Sequence, residues 1–181
     1  MKLSVREICI FSMLGATMFI SKLIMEFFPN IHLIGVFTVA MTVVYRVKAL
    51  IPVYVFVFLT GAFYAFLPGG ILWWIPYLYI WAILWGMAML IPKKMPKWLK
   101  PFVYAVVCSL HGFLYGILYA PAQSVMFFGW NFDKMIVWIL QGIPSDIVHG
   151  VSNFVLGFLL ITPLVMVMSI FQKHADKNSR N

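Results

Sequence analysis

Long apolar runs, separated by short segments that contain proline, glycine or charged residues, fill nearly the whole chain. About 20 consecutive apolar residues cross the hydrocarbon core of a bilayer as a helix, so runs of this length predict membrane-spanning helices. Breaker residues such as the Pro68-Gly69-Gly70 turn separate one run from the next. The pattern predicts a single all-α integral membrane domain over 1–181 with six transmembrane helices, at about 8–28, 31–45, 49–67, 71–91, 102–119 and 135–171.

Two of the predicted helices depart from the usual length of a membrane span. The run 31–45 is short for a full crossing, and the run 135–171 is too long for a straight one. Pro144 within the long run either kinks the helix or separates an interfacial first segment from the spanning segment. The segment 120–134 contains several polar residues and is predicted to be the longest connection between helices.

The composition excludes a water-soluble fold. Of the 181 residues, 64% are hydrophobic and only 10% are charged, whereas soluble domains are about 25% charged. Six helices use nearly all of this length, so no separate catalytic or nucleotide-binding domain fits. Cys9 and Cys108 lie within apolar runs and are predicted to be small buried hydrophobic residues rather than a redox pair.

The positive charges indicate how the chain is oriented in the membrane. There are 13 Lys and Arg against 5 Asp and Glu, and most of the cations form four groups beside the apolar runs. These groups are Lys2 and Arg6; Arg46 and Lys48; Lys93, Lys94, Lys97 and Lys100; and Lys173, Lys177 and Arg180. Six crossings place all four groups on one side, and basic loops remain in the cytoplasm. Both termini are therefore predicted to be cytoplasmic, with the protein in the plasma membrane.

A polar stripe on the last predicted helix is the clearest candidate for a binding site. Gln141, Ser145, His149 and Asn153 recur every four residues, and Asp146 lies one position from the stripe. Because such side chains are costly to expose to lipid, they are expected to face the bundle interior or a water-filled cavity. In a second interpretation, Asp146 and His149 satisfy each other and tie this helix to a neighbour.

Further aromatic and polar residues collect in the outer half of the predicted bundle. They are Asn30, His32, Tyr64, Trp74, Tyr77, Trp81, His111, Tyr115 and Trp138. The alternative for each Trp or Tyr is the aromatic belt at the membrane surface. Together with the stripe, these residues predict an outward-facing pocket for a small heteroaromatic molecule. In that pocket Asp146 is either a counter-charge for a cationic ligand or a hydrogen-bond acceptor.

The sequence contains no catalytic motif. It lacks the P-loop of nucleotide hydrolases, the His-Glu-x-x-His motif of metalloproteases and the Gly-x-Ser-x-Gly elbow of serine hydrolases. A haem held by His111 and His149 is a minor alternative. The chain is therefore predicted not to be an enzyme, and to hold no cofactor and no metal ion.

Four segments resemble the substrate-binding S components of energy-coupling factor (ECF) transporters, which are small six-helix membrane proteins. The segments are Ser12-Met-Leu-Gly-Ala16 on the first helix, Phe28-Pro-Asn-Ile-His32 before the second, the Trp-rich fourth helix, and Trp138-Ile-Leu-Gln-Gly-Ile-Pro-Ser-Asp146-Ile-Val-His149 on the last. The likeness is one of layout over nearly the whole chain, with local similarity at these positions.

The resemblance implies a high-affinity scavenger of a vitamin or similar micronutrient in a prokaryotic cell membrane. It further implies a transmembrane coupling subunit and two cytoplasmic ATPase subunits as partners, in agreement with the missing P-loop. The family docks on the coupling subunit through small residues of the first helix, which correspond here to Ser12, Gly15 and Ala16. The alternative is that these residues pack the first helix within the protein.

The substrate is less clearly indicated. The segment Trp74-Ile-Pro76-Tyr-Leu-Tyr-Ile-Trp81 is similar to a motif of cobalamin-type S components, but its spacing is one residue shorter, so a corrinoid is kept as an alternative substrate. The Met1-Lys2 start differs from the Met-His start of nickel and cobalt S components. A different class of function, a structural subunit of a membrane complex that binds no ligand, also remains open.

Overall fold

The computed structural model describes residues 3–178, which form eight α-helices joined by short connections and no β-strand. The helices are α1 (Val5–Ile24), α2 (Ile34–Tyr45), α3 (Leu50–Tyr64), α4 (Gly70–Trp74), α5 (Tyr77–Met89), α6 (Lys100–Phe113), α7 (Tyr115–Phe128) and α8 (Phe132–Asn178). Short 3-10 turns follow α1 and α2. The predicted all-α class is therefore confirmed.

Among the residues described, five helical stretches are long and apolar enough to span a membrane, in agreement with the membrane character predicted from composition. They are Val5–Phe27, Ile34–Tyr64, Gly70–Met89, Lys100–Phe128 and Phe132–Lys173. The second stretch contains both α2 and α3. Between these helices the backbone of Arg46 adopts a positive φ of 53°, which interrupts the regular helix.

The chain reverses its direction at Arg46. Near the start of α1, Glu7 forms an ion pair with Lys48, which lies in the 3-10 turn just before α3. Near the end of α1, the Lys22 ammonium donates a 2.7 Å hydrogen bond to the hydroxyl of Tyr64 at the end of α3. Helices α1 and α3 therefore run side by side in the same direction, so α2, which connects them, runs in the opposite direction.

Two other predicted elements differ in the structure: one predicted helix is divided, and one predicted connection is partly helical. The predicted helix 71–91 is divided at Pro76 into α4 and α5, because proline has no N–H to continue the ladder of hydrogen bonds. The predicted connection 120–134 was wrong in its first part, since α7 continues to Phe128. Its polar residues do not end the helix because Gln123 Nε2 donates to the Leu72 carbonyl and Ser124 Oγ donates to the Asn131 carbonyl.

The longest helix, α8, runs without a break past Pro144 and Pro163. Pro144 therefore does not divide this run into two helices, and an interfacial location of the part before Pro144 stays a prediction. Helix α8 packs along α6 and also contacts α2 and α7. This central position brings its inward-facing residues to the point where the other helices converge.

Candidate functional site

Six aromatic side chains from five segments meet at one end of the bundle. We call them the aromatic cluster: His32 before α2, Tyr77 and Trp81 on α5, His111 on α6, Tyr115 on α7 and His149 on α8. The ring centroids of His32 and His149 are 4.5 Å apart, and those of Tyr115 and His149 are 4.8 Å apart. The ring centroid of Trp81 lies 5.8 Å from that of His32. The structure thus brings together six of the predicted ligand-binding residues.

The segment before α2 places His32 in the aromatic cluster. Asn30 adopts a left-handed backbone with φ of 62°, a conformation that asparagine tolerates better than most residues. Its carbonyl accepts a 3.3 Å hydrogen bond from the Ser152 hydroxyl on α8. The connection is therefore held against α8 at the level of His149.

Several ring nitrogen atoms in the aromatic cluster are buried without a hydrogen-bond partner. They are His32 Nδ1, Trp81 Nε1, His111 Nδ1 and His149 Nε2. His111 is oriented by its other nitrogen, since Nε2 lies 3.1 Å from the Ile80 carbonyl and must donate to it. Buried polar atoms in native proteins nearly always have a partner, so this group of unpartnered atoms indicates a site for a ligand or for water.

A cavity of about 180 Å³ opens beside the two closest imidazoles. It is lined by Lys22, Met25, Glu26, Phe28, Pro29, Asn30, Ile31, His32, Tyr77, Tyr115 and His149. A second cavity of about 330 Å³ is lined by Tyr64, Leu67, Pro68, Gly70, Trp73, Tyr77 and Tyr119. We call the first the histidine cavity and the second the tyrosine cavity. Tyr77 lines both, so the two cavities form one site.

The imidazole of His32 is uncharged near neutral pH. Burial lowers its pKa from 6.5 to about 4, and the electrostatic effects of His111 and Lys22 act in the same direction. A neutral imidazole has one donor and one acceptor nitrogen, so it recognises hydrogen-bonding groups rather than charge.

Asp146 does not face the histidine cavity. Its carboxylate oxygens lie 3.0 and 3.1 Å from the backbone nitrogen of Gly116, in the first turn of α7. A Cβ atom at residue 116 would lie 2.3 Å from Asp146 Oδ2, so only glycine permits this approach. Asp146 thus accepts a hydrogen bond from the protein's own backbone, and neither of its two predicted roles towards a ligand is seen. The pairing of Asp146 with His149 was wrong.

The predicted polar stripe on α8 is divided between surface and interior. Gln141 and Ser145 are exposed, whereas His149 and Asn153 are buried. Asn153 Nδ2 donates a 3.4 Å hydrogen bond to the Cys108 carbonyl on α6, and its Oδ1 has no partner. Only His149 of this stripe lines the histidine cavity, and Asn153 joins α8 to α6.

Three other predicted residues lie outside the histidine cavity. Trp74 Nε1 donates a 2.7 Å hydrogen bond to the Val57 carbonyl and so joins α4 to α3. Trp138 stacks on Phe127, with ring centroids 6.1 Å apart, in a separate aromatic group. Tyr64 lines the tyrosine cavity and accepts the hydrogen bond from Lys22.

The small residues of α1 have different environments. Gly15 is buried against α3, where a Cβ atom would lie 2.6 Å from the Val55 side chain and 2.7 Å from the Pro52 carbonyl oxygen. Ser12 is exposed and Ala16 is half-buried. Gly15 therefore packs α1 within the protein, and Ser12 and Ala16 remain on or near the surface.

Lys22 is one of the cavity residues that the sequence-based site prediction missed. Its side chain is only 11% exposed, and it lines the histidine cavity. A signal was present, because Lys22 and Lys134 are the two cations outside the four basic groups. Its long-range partner Tyr64 is 42 residues away and was not apparent from local spacing.

Within the described residues, no three His, Cys, Asp or Glu side chains are grouped closely enough to hold a metal ion. His111 and His149 both belong to the aromatic cluster, where their rings contact Tyr115. Comparison with known proteins adds no name to this site: no family model, no curated protein and no solved structure matches the chain.

Proposed function

We propose that this chain is the substrate-binding membrane subunit of an ECF-type importer. It captures a vitamin or related small heteroaromatic micronutrient in an outward-facing pocket and passes it to partner subunits for ATP-driven uptake. The chain itself performs no catalysis. The substrate rings stack in the histidine and tyrosine cavities.

The observation that carries this proposal is the pair of unpartnered imidazole nitrogens at the histidine cavity. His32 Nδ1 and His149 Nε2 are buried beside an opening of about 180 Å³ whose other walls include Tyr77 and Tyr115. Aromatic walls with a few convergent polar atoms are typical of sites for small ring compounds. A ligand that bonds to these nitrogens removes the cost of leaving them unpaired.

The proposed topology has six crossings, with α2 and α3 as separate spans. The reversal of the chain at Arg46 supports this count, because the Glu7–Lys48 pair and the Lys22–Tyr64 pair lie at opposite ends of α1 and α3. The end with Lys48 carries the basic groups and is proposed to be cytoplasmic, together with both termini. The site at the other end then faces outward from the plasma membrane of a prokaryotic cell.

The proposed partners are a transmembrane coupling subunit and two cytoplasmic ATPases. The chain has no nucleotide-binding motif, so active uptake by it requires an external ATPase. Ser12 is exposed on α1, next to half-buried Ala16, which leaves a surface of small residues where another helix can approach.

Two alternatives are a corrinoid substrate and a structural subunit that binds no ligand. A corrinoid is much larger than the histidine cavity, so the cavity favours a smaller ring system. A structural subunit without a ligand is favoured by one observation, namely that Asp146 and Asn153 are both used in contacts between helices. The unpartnered imidazoles have no role in that alternative.

The test is mass spectrometry of small molecules released from the full chain purified in detergent, followed by titration of each compound found, read by quenching of tryptophan fluorescence. We expect a stoichiometric vitamin-like compound that rebinds the wild type. His149→Phe keeps the volume of the ring but removes its nitrogens, and should weaken rebinding by at least tenfold. Ser145→Ala, one turn earlier on the exposed face of α8, is the matched control and should bind normally.

A result in which only lipid is released, and no vitamin quenches the fluorescence, would contradict the proposed function. Equal rebinding by His149→Phe and the wild type would contradict the assignment of the site. The thermal stability of each variant in detergent separates loss of binding from loss of the fold.

A further inference from the structure

We propose that the substrate carries an acidic group, a carboxylate or phosphate, and that the Lys22 ammonium binds it. This inference rests on the proposed function and specifies the chemical class of the substrate. It follows from the charged side chains that line the two cavities and from the ammonium N–H groups of Lys22 that have no acceptor.

Lys22 is a part-buried cation whose charge is only partly compensated by the protein. Its side chain is 11% exposed, and Glu26, the carboxylate nearest to it, lies 3.7 Å away with a side chain that is 56% exposed. A buried charge is costly unless it is paired and hydrogen-bonded. Lys22 lies in the last turn of α1, where the carbonyl end of the helix attracts a cation, but this effect amounts to a fraction of a charge.

The ammonium also has unused hydrogen-bond donors. It has three N–H groups, of which one is directed to the Tyr64 hydroxyl at 2.7 Å, and the Tyr64 ring lies beneath it at 4.8 Å. The distance to Glu26 exceeds that of a hydrogen bond. An anionic oxygen from a ligand in the histidine cavity can take the remaining donors.

No other charge in the described part of the site competes for this role. The linings of the histidine and tyrosine cavities contain one cation, Lys22, and one anion, the half-exposed Glu26. Asp146, the anion that would favour a cationic ligand, is occupied by the Gly116 amide. Of the two charges, the cation is the less exposed, at 11% against 56% for Glu26, so an acid is favoured over a cation such as thiamine next to the aromatic walls.

Lys22 also lies near both cavities, so it can bind the acidic group of a ligand whose aromatic part contacts the imidazoles. Its partner Tyr64 lines the tyrosine cavity, whereas Lys22 itself lines the histidine cavity with His32 and His149. An acidic group on Lys22 thus leaves the aromatic part of the ligand against the imidazoles, where His32 Nδ1 and His149 Nε2 are available for ring substituents.

The experiment is a binding titration of the full chain in detergent with matched pairs of acids and neutral analogues. The probes are nicotinate and nicotinamide, pantothenate and panthenol, biotin and biotin amide, and inorganic phosphate, with thiamine and riboflavin as non-acidic vitamins. Binding is read by tryptophan quenching and checked by native mass spectrometry. We expect at least one acid to bind at least tenfold more tightly than its neutral analogue.

Variants of Lys22 and Glu26 test which side chain binds the acidic group. Lys22→Met keeps the length of the side chain but removes its charge, and should weaken binding of that acid by at least tenfold. Glu26→Gln removes the anion that competes for Lys22 and should raise the affinity for that acid. Melting temperatures of both variants show whether the fold is retained.

The outcomes separate this inference from the proposed function. Tight binding of thiamine, riboflavin or a neutral analogue, without preference for any acid, would overturn the acidic-substrate inference and leave the transport function standing. Equal binding of the acid by Lys22→Met and the wild type would also overturn it. Failure of every probe, together with release of only lipid from the purified protein, would overturn both proposals.

Discussion

The carboxylate of Asp146 on α8 caps the first turn of α7 by accepting the backbone N–H of Gly116, with oxygen to nitrogen distances of 3.0 and 3.1 Å. The first amides of a helix have no acceptor within the helix, and a negative charge is stabilising at this end. Here the acceptor comes from another helix rather than from the residue before the turn. The contact therefore stabilises both α7 and the position of α8 that brings His149 to the histidine cavity.

Replacement of Asp146 by alanine should destabilise the protein without removing a direct ligand contact. Loss of the carboxylate acceptor, with the Gly116 amide left unpaired, costs about 1–3 kcal/mol. Asp146→Asn keeps an oxygen acceptor and should lose less. The measurement is thermal unfolding of the purified variants in detergent. Stability equal to that of the wild type for Asp146→Ala would contradict a capping role.

Gly15 and Ser12 are predicted to have separable roles on α1. A leucine at Gly15 overlaps the Val55 side chain and the Pro52 carbonyl, and overpacking of this kind costs about 1–3 kcal/mol. A leucine at exposed Ser12 should leave the melting temperature of the isolated chain within the error of the measurement.

The same two variants test the docking surface. Co-purification with the coupling subunit should be weakened by Ser12→Leu in a chain that folds normally. If Gly15→Leu instead folds with wild-type stability and loses only the partner, the internal packing of Gly15 is not its main role.

Acidification should destabilise the fold through His32. Its pKa is about 4 in the folded chain and near 6.5 when the side chain is solvated, so between these values the unfolded state binds more protons. Stability from this group is therefore complete above about pH 6.5 and declines as the pH falls towards 4, by at most about 1.4 kcal/mol per pH unit.

The measurement is the melting temperature in detergent at several pH values between 4 and 8. His32→Gln removes the titrating group and should give a shallower decline than the wild type. An identical pH profile for the two proteins would show that His32 does not contribute to the acid sensitivity.

Six crossings predict that Asp133 and Lys97 lie on opposite sides of the membrane. Both side chains are exposed in connections or at a helix start, so cysteines introduced there are accessible to reagents. In a background in which Cys9 and Cys108 are replaced by alanine, a membrane-impermeant maleimide should label Asp133→Cys on intact cells. Lys97→Cys should be labelled only after permeabilisation, and labelling of both positions from one side would contradict this topology.

The sequence alone was sufficient to identify an all-helical membrane protein and to locate most of its helices approximately. These properties follow from the length and composition of local apolar runs, such as Val5–Phe27, since the cost of placing backbone and charge in lipid acts on each run separately. It also indicated six residues that meet in the aromatic cluster, because polar and aromatic groups in a span are directed away from lipid.

The tertiary structure decided which of these side chains face a cavity and which join helices. Asp146 and His149 are three residues apart on α8, yet one bonds to the Gly116 amide and the other has a free nitrogen beside an opening. Lys22 and Tyr64 meet only because α1 and α3 run side by side. The physical reason is that a buried polar group is satisfied by whichever donor or acceptor a neighbouring helix presents, and that partner is distant in the sequence.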